Sequence, residues 1–314
     1  MQRPFRERLA SVPVVLEIVP PGRRASEKAV TSFVDRLREA MLSLRTLDAI
    51  NIPEVLDENH AGQPFYRDMD PRVFATLLGG DLPADTIANK VVAHVPSPTA
   101  LRRWIRESLE RYRLRNFVFV GGNSSWVRYP GPTVIEANKI LRGSTRGRDD
   151  VSLGNITIPE RDHEVDRLVD KTRAGCDFFS TQVLFEAEPM ATVLRAYGRR
   201  CAAQGLKPAT VLLSFAPVSD YADLEFLVWL GATVSPRTEE ALLPAKNVAP
   251  GQASLEVART LWSHLSAAAA QSRPPVPLGV NIEEVSAHNF DLAVQMTREF
   301  PAWQGKEVPR SGDV

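Results

Sequence analysis

Only two thiols occur in this 314-residue chain, Cys176 and Cys201, and they form no C-x-x-C pair. So little cysteine argues against a disulfide framework or a cysteine-rich metal site. The opening M-Q-R-P-F-R-E-R lacks the apolar segment of a secretory signal, so a reduced, cytoplasmic protein is the simplest expectation. No apolar run approaches the roughly 18 residues of a membrane span. Excess charge is missing too: 38 Lys plus Arg balance 38 Asp plus Glu, so no global field draws the chain to nucleic acid or an anionic membrane. There is no G-x-G-x-x-G turn, no complete P-loop and no G-x-S-x-G elbow. Internal repeats are absent, and the only low-complexity tract, Ala267 to Ala270, reads as a helix end.

What is present is a rhythm. Short apolar runs recur as V-P-V-V-L-E-I-V, L-D-A-I-N-I, K-V-V-A-H-V, N-F-V-F-V, L-G-N-I-T-I, D-F-F-S-T-Q-V, A-T-V-L-L-S-F and P-L-G-V-N-I. Each has strand length and the branched or aromatic content of strands covered on both faces. Helical spacing fills the intervals. Val30, Phe33, Val34 and Leu37 follow a candidate N-cap, Ser26, and Leu101, Trp104, Ile105 and Leu109 mark another helix. Further helices are expected around Val165 to Thr172, Val193 to Tyr197, Ala258 to Leu265 and Phe290 to Val294, with weaker patterns at Pro132 to Leu141 and after Pro217.

Eight strand-then-helix units predict a single-domain α/β (β/α)8 TIM barrel rather than an open sheet. Its expected limits are residues 13–303, between an N-terminal extension (1–12) and a C-terminal tail (304–314). The stretches Asp57 to Asp85 and Thr238 to Gly251 are long for loops and are expected over the barrel top.

In such a barrel, chemistry collects at the C-terminal ends of the strands. The polar residues there are Glu17, Asn51 with Glu54, His94, Asn123, Glu160, Gln182, Ser214, and Glu283 with Glu284. Glu17 stands alone in an apolar strand, where burial would raise its pKa toward that of a neutral-pH acid; a structural ion pair is the alternative. Gln182 either hydrogen-bonds a heterocycle or ties down backbone. His94 is a ligand contact or a satisfied core histidine. The run R-D-H-E, Arg161 to Glu164, reads as helix N-terminal capping rather than a metal site, because adjacent residues on a helix cannot face one ion. G-G-N-S-S, Gly121 to Ser125, is only a partial phosphate cradle. The helix W-I-R-E-S-L-E-R-Y-R-L-R interleaves its charges and reads as a solvated outer helix, not a nucleic-acid surface.

These segments resemble the methylenetetrahydrofolate reductase family. L-E-I-V-P-P is similar to its F-E-F-x-P-P stretch. G-N-I-T-I-P-E followed by D-K-T-R-A-G-C-D-F-F-S-T-Q-V-L-F is similar to its Y-P-E segment and K-x-x-A-G-A-x-x-x-x-T-Q-x-F. S-F-A-P-V-S-D-Y is similar to its strand-seven P-V-S-N-F, and the order holds from about Val14 to about Thr297. The resemblance implies the same barrel and reduction of 5,10-methylenetetrahydrofolate to 5-methyltetrahydrofolate, a step of one-carbon metabolism that feeds methionine biosynthesis. It implies Glu17 as general acid and Gln182 as the pterin anchor, with Asn123, Asp223, Leu227 and Glu283 as further substrate contacts. His94, Lys171, Asn123, Ile158 and Glu160 correspond to the flavin site. Departures cluster there: R-G-D becomes G-G-N at Gly121 to Asn123, a tyrosine becomes Ile158, and a folate-contacting aromatic becomes Leu227. Trp126 and Tyr129 stand near the altered loop. The implied donor is NADH or NADPH, with FAD either weakly held or dispensed with. A tetrahydrofolate-dependent one-carbon transferase and a non-catalytic folate-binding or partner subunit remain as alternatives. The implied partner is a small-molecule folate, with no nucleic acid and no membrane, and the oligomeric state stays open.

Overall fold

The computed structural model describes residues 3–59, 62–80, 82–124, 126–243 and 251–304. Ten strands occur among them: β1 (Val14–Ile18), β2 (Ala49–Ile52), β3 (Leu56–Glu58), β4 (Pro64–Tyr66), β5 (Asp85–Val91), β6 (Asn116–Val120), β7 (Ser152–Thr157), β8 (Phe178–Val183), β9 (Thr210–Phe215) and β10 (Leu278–Glu284). Eight of them close into a parallel barrel in the order β1-β10-β9-β8-β7-β6-β5-β2, while β3 and β4 form a separate hairpin. The chain is a (β/α)8 TIM barrel.

The helices are α1 (Phe5–Arg8), α2 (Glu27–Ser43), α3 (Pro71–Leu78), α4 (Pro98–Glu110), α5 (Val134–Ser144), α6 (Glu164–Arg173), α7 (Ala187–Ala203), α8 (Tyr221–Trp229), α9 (Pro236–Leu242), α10 (Gln252–Gln271) and α11 (Phe290–Trp303). Ser26 caps α2 by accepting the Ala29 amide at 3.2 Å. The weak pattern after Pro217 resolves into two short helices, α8 and α9. Outward strand residues such as Leu16, Ile50, Phe117, Phe179 and Leu213 form one large core with the helices. Inward residues Val15, Ala49, Ile87, Val118, Phe178 and Leu212 form a second, smaller one.

That inner core is closed from below by α1. Phe5 sets its ring edge-on to Phe178 at 5.7 Å, and Thr210 donates to the Leu9 carbonyl at 2.9 Å. Arg8 is buried beneath the barrel, ion-paired to Asp48 at 2.8 Å and to Asp85. The stretch expected as an N-terminal extension thus contributes side chains to the lower core.

Two expectations are adjusted. K-V-V-A-H-V is not the third barrel strand: β5 is D-T-I-A-N-K-V, and Val92–His94 form a single 3-10 turn beyond it. The true strand carries Thr86, Asn89 and Lys90, which break its apolar run, whereas Val91, Val92, Ala93 and Val95 are apolar because the turn is buried. Asp57 to Asp85 is no plain loop but contains the hairpin and α3. Of Thr238 to Gly251, residues 244–250 lie outside the described set, as do Ser125 and residues 305–314 of the tail.

Candidate functional site

Strand alternation builds the site. With Val15, Ala49, Ile87, Phe178 and Leu212 facing the axis, the residues two places further along face it one layer higher. Those residues are Glu17, Asn51, Asn89, Ser180 and Ser214, and β10 adds Asn281 and Glu283. The barrel interior therefore changes from apolar to polar toward its C-terminal mouth.

The polar groups form a continuous belt. Ser180 and Ser214 hydroxyls lie 3.4 Å apart, and the Asn281 amide nitrogen reaches Ser214 Oγ at 3.3 Å. The same nitrogen donates to Glu17 Oε2 at 3.0 Å and to Glu283 Oε1 at 3.1 Å. From the other side, Asn51 donates to Glu17 Oε2 at 2.5 Å. Glu17 and Glu283 are register partners on neighbouring strands, so both carboxylates occupy one level of the mouth. Burial raises the Glu17 pKa, opposed by hydrogen bonds from Asn281 and Asn51. Glu283 is pushed well above the usual carboxylate range, first by burial and then by the charge of Glu17. Among the described residues, no lysine or arginine is ion-paired to either. The ion-pair reading of Glu17 therefore finds no partner.

The belt also contains unused acceptors. The side-chain oxygens of Asn51, Asn89 and Asn281 are buried and accept no hydrogen bond from the protein. These residues are 2%, 5% and 0% exposed, so solvent does not compensate for the missing donors. These orphaned carboxamide oxygens, two of them on residues that bond Glu17, suit a ligand edge rich in N–H groups.

Gln182 sits at the rim, where the β8–β9 register shifts between Ser180 and Val183. Such a bulge re-aims a side chain, and the Gln182 amide donates to the Leu230 carbonyl at 2.7 Å after α8. Asp223, at the start of α8, accepts from the Ser219 amide and hydroxyl at 2.8 and 2.7 Å and from Asn289 at 2.7 Å. Burial would raise its pKa, but these donors hold it below the ordinary value. With Asp220 and His288 it forms an acidic cluster whose ligand atoms lie within 4.8 Å of one another. Asp223 Oδ2 is already committed to those donors, and Oδ1 stands 3.0 Å from His288 Nε2. Leu227 is buried among Val183, Ala216, Val218 and Leu224.

The residues assigned to a flavin lie on the β5–β7 side. His94 Nε2 meets Glu58 of the hairpin at 2.8 Å, and its ring is edge-on to Tyr129 at 5.2 Å. Tyr129 donates to the other Glu58 oxygen at 2.8 Å and accepts from the Ser124 amide at 3.0 Å. A Cβ on Gly122 would stand 2.1 Å from the Tyr129 ring, so only glycine fits beneath it. Lys171 donates to the Ile156 carbonyl at 2.7 Å, near the outward-facing Phe179, and burial lowers its pKa. Asn123 and Glu160 are exposed, Ile158 is half-buried, and Trp126 is 96% exposed. His94 and Lys171 are thus engaged by protein groups, whereas Asn123 and Glu160 face solvent.

No protein-family model matches the chain, and no curated protein matches it. Its fold is similar to that of an uncharacterized protein from Clostridium thermocellum that binds two copies of 5-methyl-5,6,7,8-tetrahydrofolic acid. That likeness covers 95% of this chain and 99% of the other at 21% identity, with a TM-score of 0.76. The shared feature is the barrel. Weaker likenesses are to EDTA monooxygenase from Chelativorans sp. BNC1 (12% identity, 95% of each chain, TM-score 0.53) and to a Bacillus cereus spore cortex-lytic enzyme (11% identity, 96% and 76%, TM-score 0.52).

Several of these features escape sequence reasoning. Asn89, Asn281 and Ser180 had a usable signal, since each lies two residues beyond an inward apolar or glycine position. Glu58 had none, because its contact with His94 spans 36 residues. Glu54 is tied to Lys90 at 2.6 Å and to the Val91 amide at 2.7 Å. In R-D-H-E, His163 occupies the N-cap position of α6 without a side-chain cap, and Glu164 instead binds Thr157 at 2.8 Å. Both cysteines are free and buried, and burial pushes the Cys176 thiol far up, which removes it as a nucleophile. An open groove of about 660 Å³ lies on the flank between α7, α9 and α10, away from the belt. No helix among the described residues is long and apolar enough to cross a membrane.

Proposed function

We propose that the barrel mouth binds a reduced folate and that the protein reduces 5,10-methylenetetrahydrofolate to 5-methyltetrahydrofolate, taking hydride directly from NADH or NADPH. The observation that carries this reading is the set of buried, unpartnered carboxamide oxygens of Asn51 and Asn281, whose nitrogens bond Glu17, together with that of Asn89 on the same inner face of the barrel. The amino-pyrimidinone edge of a pterin offers the N–H donors they lack. The folate tail, which carries carboxylates, is repelled by the single charge of the Glu17–Glu283 pair and points outward. The ligand of the Clostridium thermocellum protein supports the substrate class.

Glu17 supplies the proton. Its transfer to N10 of the bound folate breaks the bond from N10 to the bridging carbon and leaves an iminium at N5. Hydride from the nicotinamide then reduces that carbon to a methyl group. The protein's task is to stack two heterocycles and exclude water, and no flavin takes part.

The test is NADH consumption by flavin-free protein with and without methylenetetrahydrofolate, alongside calorimetric binding of 5-methyltetrahydrofolate. Glu17→Gln should lower turnover by about 10²–10⁴-fold, the usual span for a general acid, and still bind the product. Full turnover in that variant removes Glu17 from the chemistry, and absence of folate binding removes the substrate class. Folate binding without NADH turnover favours a second reading, a barrel that carries or transfers the methyl group without redox chemistry. The 5-methyl form held by the similar protein is consistent with it.

A further inference from the structure

We infer that Glu283 forms a carboxylate dyad with Glu17, the pair holding one proton, and that the charge of Glu283 restores a proton to Glu17 after each turnover. This inference deepens the folate reading and rests on it for the turnover step only.

The geometry is that of a carboxylate dyad. Glu17 and Glu283 are opposed on adjacent strands, and one nitrogen, Asn281 Nδ2, stands 3.0 Å from the first and 3.1 Å from the second. That nitrogen has two hydrogens and three acceptors in reach, counting Ser214 Oγ at 3.3 Å. It can neutralise neither charge. The groups facing the pair are Asn51 from β2, Ser214 from β9 and Asn281 from β10, none of them ionisable at neutral pH. Glu284, the next residue along, points to the opposite face of its strand. Two carboxylates that share one donor nitrogen, with no lysine or arginine paired to either among the described residues, do not both ionise near neutrality, so the first charge retains the second proton.

This arrangement answers a difficulty in the mechanism. A single carboxyl that protonates N10 is left ionised in the mouth, and must be recharged before the next substrate binds. In the dyad, the one proton of the pair passes from Glu17 to N10, which leaves both carboxylates ionised, and their mutual repulsion then draws one proton from solvent through the mouth back to Glu17. Per turnover the pair loses and regains one proton, which matches the one proton consumed when methylenetetrahydrofolate takes up a hydride.

Infrared spectroscopy of full-length protein with ¹³C-labelled glutamate tests the shared proton without folate. The Glu284→Gln background removes the adjacent buried carboxyl, whose own pKa is raised to about 7. The protonated-carboxyl band of the pair should disappear at a midpoint at least about one pH unit lower in either Glu17→Gln or Glu283→Gln than in the parent. With substrate, Glu283→Gln should move the alkaline limb of kcat down by a similar amount, and Glu283→Asp should restore part of the shift. Unchanged midpoints in both single variants overturn the dyad, whatever the protein binds. Shifted midpoints with an unmoved kcat limb overturn the role of Glu283 in turnover. Failure of folate binding leaves the infrared result intact, so the two readings fail separately.

Discussion

Replacing Glu284 by glutamine should make the protein more stable, and increasingly so as pH rises. Glu284 ends β10, opposite Ile18, on the face turned away from the mouth. It is only 3% exposed. Its pKa is raised from 4.5 to about 7, chiefly by burial, with the Val19 amide and the more distant charge of Arg36 opposing the shift. Arg36 itself is ion-paired to Asp291 at 2.8 Å, so its help is partial. A carboxyl whose folded pKa exceeds its unfolded one favours the fold fully below the unfolded value. That contribution is lost as pH climbs through the folded value. A rise of about 2.5 units at 1.36 kcal/mol each makes the full span about 3 kcal/mol. Between about pH 5.5 and 8.5 the wild-type protein should lose about 2 kcal/mol relative to Glu284→Gln, since part of the span is already used below that window. Urea unfolding of both proteins across this range reads the difference directly. Parallel stability curves, with a constant gap at all pH values, would refute the assignment of a buried, late-titrating carboxyl.

Other outcomes follow from the packing. Phe5→Ala should cost about 3–5 kcal/mol in urea unfolding, because the ring is 1% exposed and plugs the barrel floor against Phe178. An N-terminal segment that only fringes the barrel would show almost no loss. Tyr129→Phe should cost about 1–2 kcal/mol by the same measurement, since the hydroxyl joins Glu58 to the Ser124 amide. No change there would mean that the hairpin is held to the G-G-N loop by ring contact alone. Together with Glu17→Gln and the glutamine and aspartate variants of Glu283, these substitutions separate the belt, the rim and the floor.

The barrel was legible because its signals are local. Eight apolar runs separated by helical spacing need no knowledge of distant contacts, and seven of the eight fall on the strands observed. The exception is instructive. Asn89 and Lys90 make β5 look unlike a strand, yet Asn89 is polar because it belongs to the belt. The site's chemistry therefore disguises the element that carries it. Glu17 and Gln182 could be singled out from the residues around them. Their surroundings could not, because Asn281 and Glu17 are 264 positions apart.

By itself, the sequence determined the alternation of strand and helix, the balance of charge and the presence of one carboxylate in the first strand. Side-chain periodicity and composition are properties of neighbouring residues, and they survive without a fold. Only the tertiary structure decided that Glu17 has a second carboxylate beside it and, among the described residues, no paired lysine or arginine. It also decided that three carboxamide oxygens lack donors and that His94 is held by Glu58 and Tyr129. Closing the barrel brings β1 against β10 and fixes their register. That closure turns separate polar residues into a belt in which burial and proximity set each group's charge and its free valence.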